Sequence, residues 1–507
     1  MARRGLEVWK NGAGSRKDSP LRWGLGYTPP MEKPRKPSPT ELPMLFEIDP
    51  VPLAENLTAL GGAPLVARAF RSLGLPAAIR EHVHVKQRER GYDEATYVES
   101  FVILNAVAGE CVADFERLRQ DGALSELVGH EFPSPRAALE FLYQFHEEEK
   151  IAAAQQRRKP GEIAYIPEET AELQGLGLVN RVLVQRLGMR CPDQRIATVD
   201  QDATIIESHK QEALRTYEGE RGYQPMLAVW AEMNVILGDE FRDGNVPAMM
   251  EPLTVAKKAY AALPPTVTTY YFRGDSACHE SSLVNWLRDE KRADGPQGFI
   301  GFAISARMSE ALRQAVMAVP EGEWKPYGRV HPEEIRECAE VPFVPAEKSE
   351  HKDTKPLRYV GIRIRRRQGG LFDDGTTTRH FAVVTNIWDW TAERLIQWHR
   401  EKAGTIEAVH DVVKNELAGG VLPSKYFGAN AAWLRLAVIA HNVMTALKRL
   451  ALPAELLTAR PKRLRFLLFN TPGRVVHHAR TMVLRLGTSL ERLAEWIAAW
   501  ELLPLPT

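Results

Sequence analysis

Apolar positions between residues 52 and 190 recur at helical spacing, as in Ala63-Pro-Leu-Val-Ala-Arg-Ala-Phe-Arg and Tyr97-Val-Glu-Ser-Phe-Val-Ile-Leu-Asn-Ala. Ser134-Pro-Arg-Ala-Ala-Leu-Glu-Phe-Leu adds a start signal, a capping hydroxyl with Pro135 in the first turn. From about residue 191 the texture changes to short β-type runs. The run 196–206 is followed by Gln224-Pro-Met-Leu-Ala-Val-Trp-Ala-Glu and Asn234-Val-Ile-Leu-Gly-Asp-Glu-Phe-Arg, which predict three consecutive strands of one sheet. A helix over 255–263, a strand ending at Asp275, a helix over 281–288 and a strand over 298–304 follow.

Three strands, helix, strand, helix, strand is an α/β order that resembles the ribonuclease-H-like fold. Residues 308–390 depart from it, with short strands punctuated by Gly and Pro, and predict a β-rich insertion. A final helix of this domain begins near Thr391 and runs to Leu417, with Gly419-Gly420 as its stop. The expected organisation is a flexible basic arm (1–44), a helical, DNA-binding domain (45–190), a first catalytic part (191–307), the insertion (308–390), a second catalytic part (391–450) and a helical basic C-terminal region (451–507).

A chain of 507 residues exceeds one ordinary core, and its 44% hydrophobic and 26% charged content are globular values. Net charge is only +1, but it is unevenly spread: residues 1–40 carry nine Lys/Arg against three Asp/Glu, and 441–507 carry ten against four. A further basic run contains Arg363 and Arg365. Localised positive charge of this kind suits phosphate contacts; solvated surface is the bland alternative. The four cysteines are scattered with no CxxC pair, which supports neither a zinc ribbon nor a disulfide framework and fits a reducing cytoplasm. No apolar run approaches the roughly 20 residues that span a bilayer. No P-loop or dinucleotide fingerprint is present, and no G-x-S-x-G elbow supports serine catalysis.

The candidate chemistry is acidic. Asp202 and Asp275 each end a strand-like run, and Glu407 lies on an amphipathic helix. Two strand-borne aspartates and one helix-borne glutamate form a Mg²⁺ cage of the kind that cuts and rejoins DNA. Mg²⁺ takes oxygen ligands, commonly one or two carboxylates with water and substrate phosphate, and two ions about 4 Å apart can serve an attacking and a leaving oxygen. Asp200 and Asp202 point to one face of their strand, so either could be the first ligand. Arg400, Glu407 and Lys414 are spaced by seven along the helix, placing a cation on either side of the acid, although an exposed charge row has the same spacing. His279, Trp230, Trp388 and Trp390 are weaker candidates, for which turn or packing roles are the simpler expectation.

Taken together, residues 196–450 resemble the DDE transposases of bacterial insertion sequences. The resemblance rests on Asp202-Ala-Thr, on Arg273-Gly-Asp275-Ser and on Gly404-Thr-Ile-Glu407 followed by Lys414, with Asn430-Ala-Ala-Trp and Ala440-His-Asn beyond. It implies that Asp202, Asp275 and Glu407 bind two Mg²⁺ ions, with Mn²⁺ as a substitute, for cleavage at transposon ends and strand transfer into target DNA. The family's Tyr-x2-Arg-x3-Glu-x6-Lys signature is matched by Glu407 and Lys414, but Ala403 stands at the Arg place and Arg400 at the Tyr place. Arg400 or Lys402 are the substitutes for the missing phosphate grip. Implied partners are double-stranded DNA, as terminal inverted repeats and target, and a second copy of the chain. A nuclease that does not join strands and a DNA-binding protein without catalysis are the other classes.

Overall fold

The computed structural model describes residues 46, 48–51, 53, 55–85, 91–329, 333–345, 356–366 and 378–505. The basic arm expected over 1–44 lies outside the described residues. Glu55–Thr507 forms one unit, to which everything below refers.

After a short strand β1 (Leu57–Thr58), the chain is helical to residue 189, as its periodicity predicts. Helices α1 (Pro64–Ser72) and α2 (Leu75–His82) each carry proline in the first turn, and Gly74 between them has a φ of 64°, a region that favours a residue without Cβ. Side chains cap several of the helices that follow. Asp93 caps α3 (Glu94–Ala106); after α4 (Phe115–Gln120), Asp121 caps α5 (Gly122–Val128) and Ser134 caps α6 (Pro135–Tyr143). α7 (Glu148–Arg157) leads to α8 (Ala171–Met189), capped by Thr170. Each capping oxygen takes a backbone N–H that the helix itself leaves unpaired.

The strand region begins with β2 (Ile196–Ala203). A small sheet of β3 (Ile206–Glu207), β4 (Leu214–Arg215) and β5 (Arg221–Tyr223) interrupts it before β6 (Met226–Trp230) and β7 (Val235–Glu240). Then come α9 (Pro252–Ala262), β8 (Thr269–Gly274), α10 (Ser281–Arg288) and β9 (Ile300–Ser305). The order β7-β6-β2-β8-β9, with β2 antiparallel to β6 and parallel to β8, and β8 parallel to β9, is the ribonuclease-H-like arrangement.

The insertion consists of α11 (Glu310–Met317), β10 (Lys325–Pro326), β11 (Glu334–Val341), β12 (Arg358–Arg366) and β13 (Thr378–Thr385). Its strands continue the catalytic sheet. β13 pairs antiparallel with β9, and the order runs on through β12 and β11 to β10, giving nine strands in one sheet.

The expected single helix from 391 to 417 is two helices. α12 (Ala392–Arg400), capped by Thr391, and α13 (Lys402–Asn415) meet at Glu401. The break precedes Gly404, and α13 ends at Asn415, followed by a left-handed Ala418 (φ 59°) ahead of the two glycines. α14 (Phe427–Ala451) is mostly apolar and buried on all sides from Gly428 to Lys448, as a helix at the centre of a core must be. It packs against α1, α3, α6, α8 and β7, so the N-terminal helices and the sheet share one hydrophobic core. Several polar groups inside it are paired with one another. Arg435 bonds Asp239 and Glu169, and the Asn442 amide bridges Asn180 and the backbone of Ile236.

The C-terminal region is not purely helical. After α15 (Pro461–Leu464), β14 (Gly473–His478) and β15 (Thr481–Leu486) form a hairpin that pairs with β1, before α16 (Leu490–Glu501). The hairpin turn uses Ala479 at a φ of 56°, where Gly or Asn would have signalled it.

Candidate active site

Register creates the site. Gln201 pairs with Gly274 across the parallel strands β2 and β8, and the residue that follows each of them in the chain is an aspartate. Asp202 and Asp275 therefore stand side by side at the carboxyl ends of adjacent parallel strands, where open α/β sheets place ligand sites. Burial, and then the negative charge of Asp202, push the Asp275 carboxyl above the usual range, while Lys402 and the N–H groups of Ala277 and Cys278 oppose the shift. Asp275 also caps the short turn that follows, accepting from Ala277 N at 3.0 Å.

Helix α13 lies against β2. Lys402, at its first position, donates from Nζ to Asp202 Oδ2 at 2.9 Å, and its side chain is only 10% exposed. Burial lowers the Lys402 pKa, but contact with Asp202 and the charge of Asp275 outweigh it and raise the value overall. Thr405, one turn on, donates to Asp200. Lys414, near the end of the helix, donates to Ile205 O at 2.7 Å. Three side chains of one helix thus hold the end of β2 and the residues just after it.

Asp200 and Asp202 do face one side, as their spacing requires, but their surroundings differ. Asp200 is fully buried, and Arg273 takes both of its oxygens, at 2.6 and 2.9 Å. The same guanidinium bonds Trp398 O at 2.6 Å and Glu401 at 3.2 Å, tying β2 and β8 to the break between α12 and α13. Asp202 is part-exposed, with Lys402 as its cation.

Glu407 lies on the exposed side of α13, one residue past the buried Ile406. Among the described residues, no group of three or more His, Cys, Asp or Glu is close enough to hold a metal ion. The structure thus brings together Asp202 and Asp275 and leaves Glu407 outward. An all-oxygen pair, one carboxyl of which is raised by burial and then by its neighbour's charge, is the donor chemistry that a hard divalent cation fits.

The remaining candidates separate clearly. Arg400 is exposed and its guanidinium sits 5.0 Å from the Tyr327 ring. Arg363 and Arg365 are engaged within the insertion by Glu321 and Glu337, with Arg363 also stacked on Trp324. Trp230 is buried, its indole N–H on Ile196 O; Trp390 packs on Trp398 and Tyr271, and Trp388 is exposed. His279 accepts from Arg307 N through Nδ1 at 2.9 Å.

One contact and two groups have no signal in the linear chain. The sequence marks Lys402 as a phosphate contact, and nothing in it shows that the ammonium meets Asp202. Buried His410, also on α13, has no hydrogen-bond partner for either ring nitrogen among the described residues, and burial holds its pKa at about 4. Tyr217, 77% exposed in the β4–β5 turn, lies within electrostatic reach of both aspartates.

A family model described as transposase DDE domain group 1 matches residues 54–503. No curated protein matches the chain. Among solved structures, the chain is similar to the piggyBac transposase in its cryo-EM synaptic complex with hairpin DNA, with a TM-score of 0.44 and 10% identity, over 80% of this chain and 79% of that one. With the model match spanning nearly the whole chain, and its two aspartates on adjacent strands of a ribonuclease-H-like sheet, the chain belongs to the DDE transposase family.

Proposed function

We propose that this DDE transposase cuts DNA at the terminal inverted repeats of a bacterial insertion sequence and transfers the freed strand ends into target DNA, in a cut-and-paste manner. The observation that carries the site assignment is that Asp202 and Asp275 each follow the last paired level of β2 and β8, Gln201 opposite Gly274, beside the N-terminus of α13. Members of the family generally use divalent metal ions. Asp202 and Asp275 would hold two Mg²⁺ ions, or Mn²⁺ in their place, with Glu407, exposed on the same helix that covers the pair, as the third carboxylate. Bound there, the ions supply Lewis acidity to the attacking and leaving oxygens of a phosphodiester.

The protein's own part is binding and orientation. Arg273 and Thr405 fix Asp200 and thereby the end of β2, so the neighbouring Asp202 is presented from a rigid strand. Lys414 and the exposed Arg400 are placed on α13 and at the end of α12, where a duplex lying over the acidic pair would bring its phosphates. Lys402 joins them when it is not engaged by Asp202. Arg363 and Arg365, the other candidates for DNA contact, would first have to leave Glu321 and Glu337. Synapsis of two transposon ends calls for a homodimer.

The test is a Mg²⁺-dependent cleavage and strand-transfer assay on DNA carrying the flanking inverted repeats, with Asp202→Asn, Asp275→Asn and Glu407→Gln. Loss of both products with DNA binding retained supports the three-acid site. Full activity in Glu407→Gln would remove Glu407 from it. Cleavage without joined product in the unmutated protein would favour a nuclease.

A further inference from the structure

The Lys402–Asp202 pair occupies the place where the proposed reaction requires a different cation. The Lys402 ammonium is the group facing Asp202 Oδ2, at 2.9 Å, and both side chains are largely withdrawn from solvent. A buried ammonium needs an anionic partner, and a carboxylate oxygen already holding one cation cannot take a divalent ion without displacing or strongly repelling it. Loading of the acidic pair and retention of this ion pair therefore compete.

Local structure makes Lys402 the member that moves. Asp202 is anchored in β2 by pairing on both sides of the strand's end, through Leu227 on β6 and through Gln201 to β8. Lys402 begins α13, beside the break at Glu401, and a cation at a helix N-terminus is opposed by the helix dipole. Beyond the two aspartates, one of which it bonds, burial disfavours the ammonium there. The helix would not be released with it, because Thr405 on Asp200 holds α13 independently.

We infer that Lys402 is an exchangeable counterion: it neutralises Asp202 until a divalent cation takes that carboxylate, and is then handed to a phosphate of the bound DNA. Its consequence is positive coupling between cation and DNA. Each ligand favours the state in which Lys402 has left Asp202, so each tightens binding of the other by the same factor. Before either is bound, the pair lowers cation affinity and keeps the site closed to premature chemistry. This inference rests on the assignment of Asp202 as a ligand made above.

The experiment measures Mn²⁺ binding by isothermal titration calorimetry on the full chain, without DNA and with a random-sequence duplex held below the temperature at which cleavage occurs. Lys402→Met is expected to bind Mn²⁺ without DNA roughly tenfold more tightly than the unmutated chain, since one repelling charge has gone, and to lose most of the duplex's enhancement. Lys402→Arg, which keeps the charge, should behave like the unmutated chain. Equal or weaker Mn²⁺ binding in Lys402→Met overturns the inference. Asp202→Asn separates the two levels: unchanged Mn²⁺ affinity there sinks the ligand assignment and the inference with it, whereas loss of Mn²⁺ binding there, with no gain in Lys402→Met, sinks only the role of Lys402. If Lys402→Met does not fold, reductive methylation of the unmutated chain gives the same answer. The Lys402 amine should be protected without metal and several-fold more reactive with saturating Mg²⁺; equal labelling in both overturns the inference.

Discussion

Gln201 lies opposite Gly274 in the parallel pairing of β2 and β8, and this single register sets Asp202 beside Asp275. Two carboxyl groups far apart in the chain become electrostatic neighbours because two strands stop pairing at the same level. A slip of one residue would send one of them to the opposite face.

The two acids of β2 should respond differently to the same chemistry. Asp202→Asn is expected to lower cleavage and joining by at least about 10²–10³-fold while leaving the fold intact. Asp200→Asn removes the charge that neutralises buried Arg273 and should cost about 3–5 kcal/mol of stability. Urea titration of both variants beside the cleavage assay checks this. A stable, inactive Asp200→Asn protein would reverse the assignment.

Stability should fall in mild acid. Burial holds His399, His410 and His441 each at about 4, against an ordinary 6.5. Their folded values lie below their unfolded ones, so under pH 6.5 the unfolded chain binds protons that the folded chain excludes. Stability is fully present above about 6.5 and is lost as pH falls toward 4, by up to about 1.4 kcal/mol per pH unit for each ring. Urea midpoints at pH 7 and pH 5 read the effect, and equal midpoints would contradict it. His410→Leu should remove one share of the slope and, because its ring nitrogens are unpaired, raise stability at pH 5.

Asp239 and Glu169 hold Arg435 at the junction of β7, α14 and the start of α8. Asp239→Ala leaves a buried guanidinium half-paired and should destabilise the protein by about 3–5 kcal/mol. Because the N-terminal helices share their core with the sheet, melting should remain one transition when followed by circular dichroism and by tryptophan fluorescence. Separate transitions would show that the two regions unfold independently.

Basic residues should divide by what already holds them. Arg400→Ala is expected to weaken binding of duplex DNA across sequences and to reduce the salt dependence by about one unit of slope. Arg363→Ala should leave DNA affinity nearly unchanged and instead loosen the β11–β12 edge, since its charge is taken by Glu321 and Glu337. Fluorescence anisotropy over a salt series distinguishes them, and a salt slope reduced by Arg363→Ala would return that residue to the DNA-binding surface.

Much of this protein was legible locally. Helical spacing marked the N-terminal helices, Ser134 announced a cap that its side chain does form, and α10 spans the predicted residues. The strand–helix order fixed the fold class because periodicity and caps act within one or two turns of chain. Features without a local signal were missed. The C-terminal hairpin turns on Ala479, and the break at Glu401 lies in a segment whose apolar stripe continues across it.

The sequence by itself determined which acids were available and on what kind of element each would sit. Only the tertiary structure decided their company. Parallel register put Asp275 beside Asp202, Arg273 and Thr405 engaged Asp200, Lys402 became the partner of Asp202, and the face of α13 left Glu407 toward solvent. Spacing can place a charge on a helix or strand, but ion pairing depends on distances of a few ångströms between segments far apart in the chain, and those distances exist only once the core has closed.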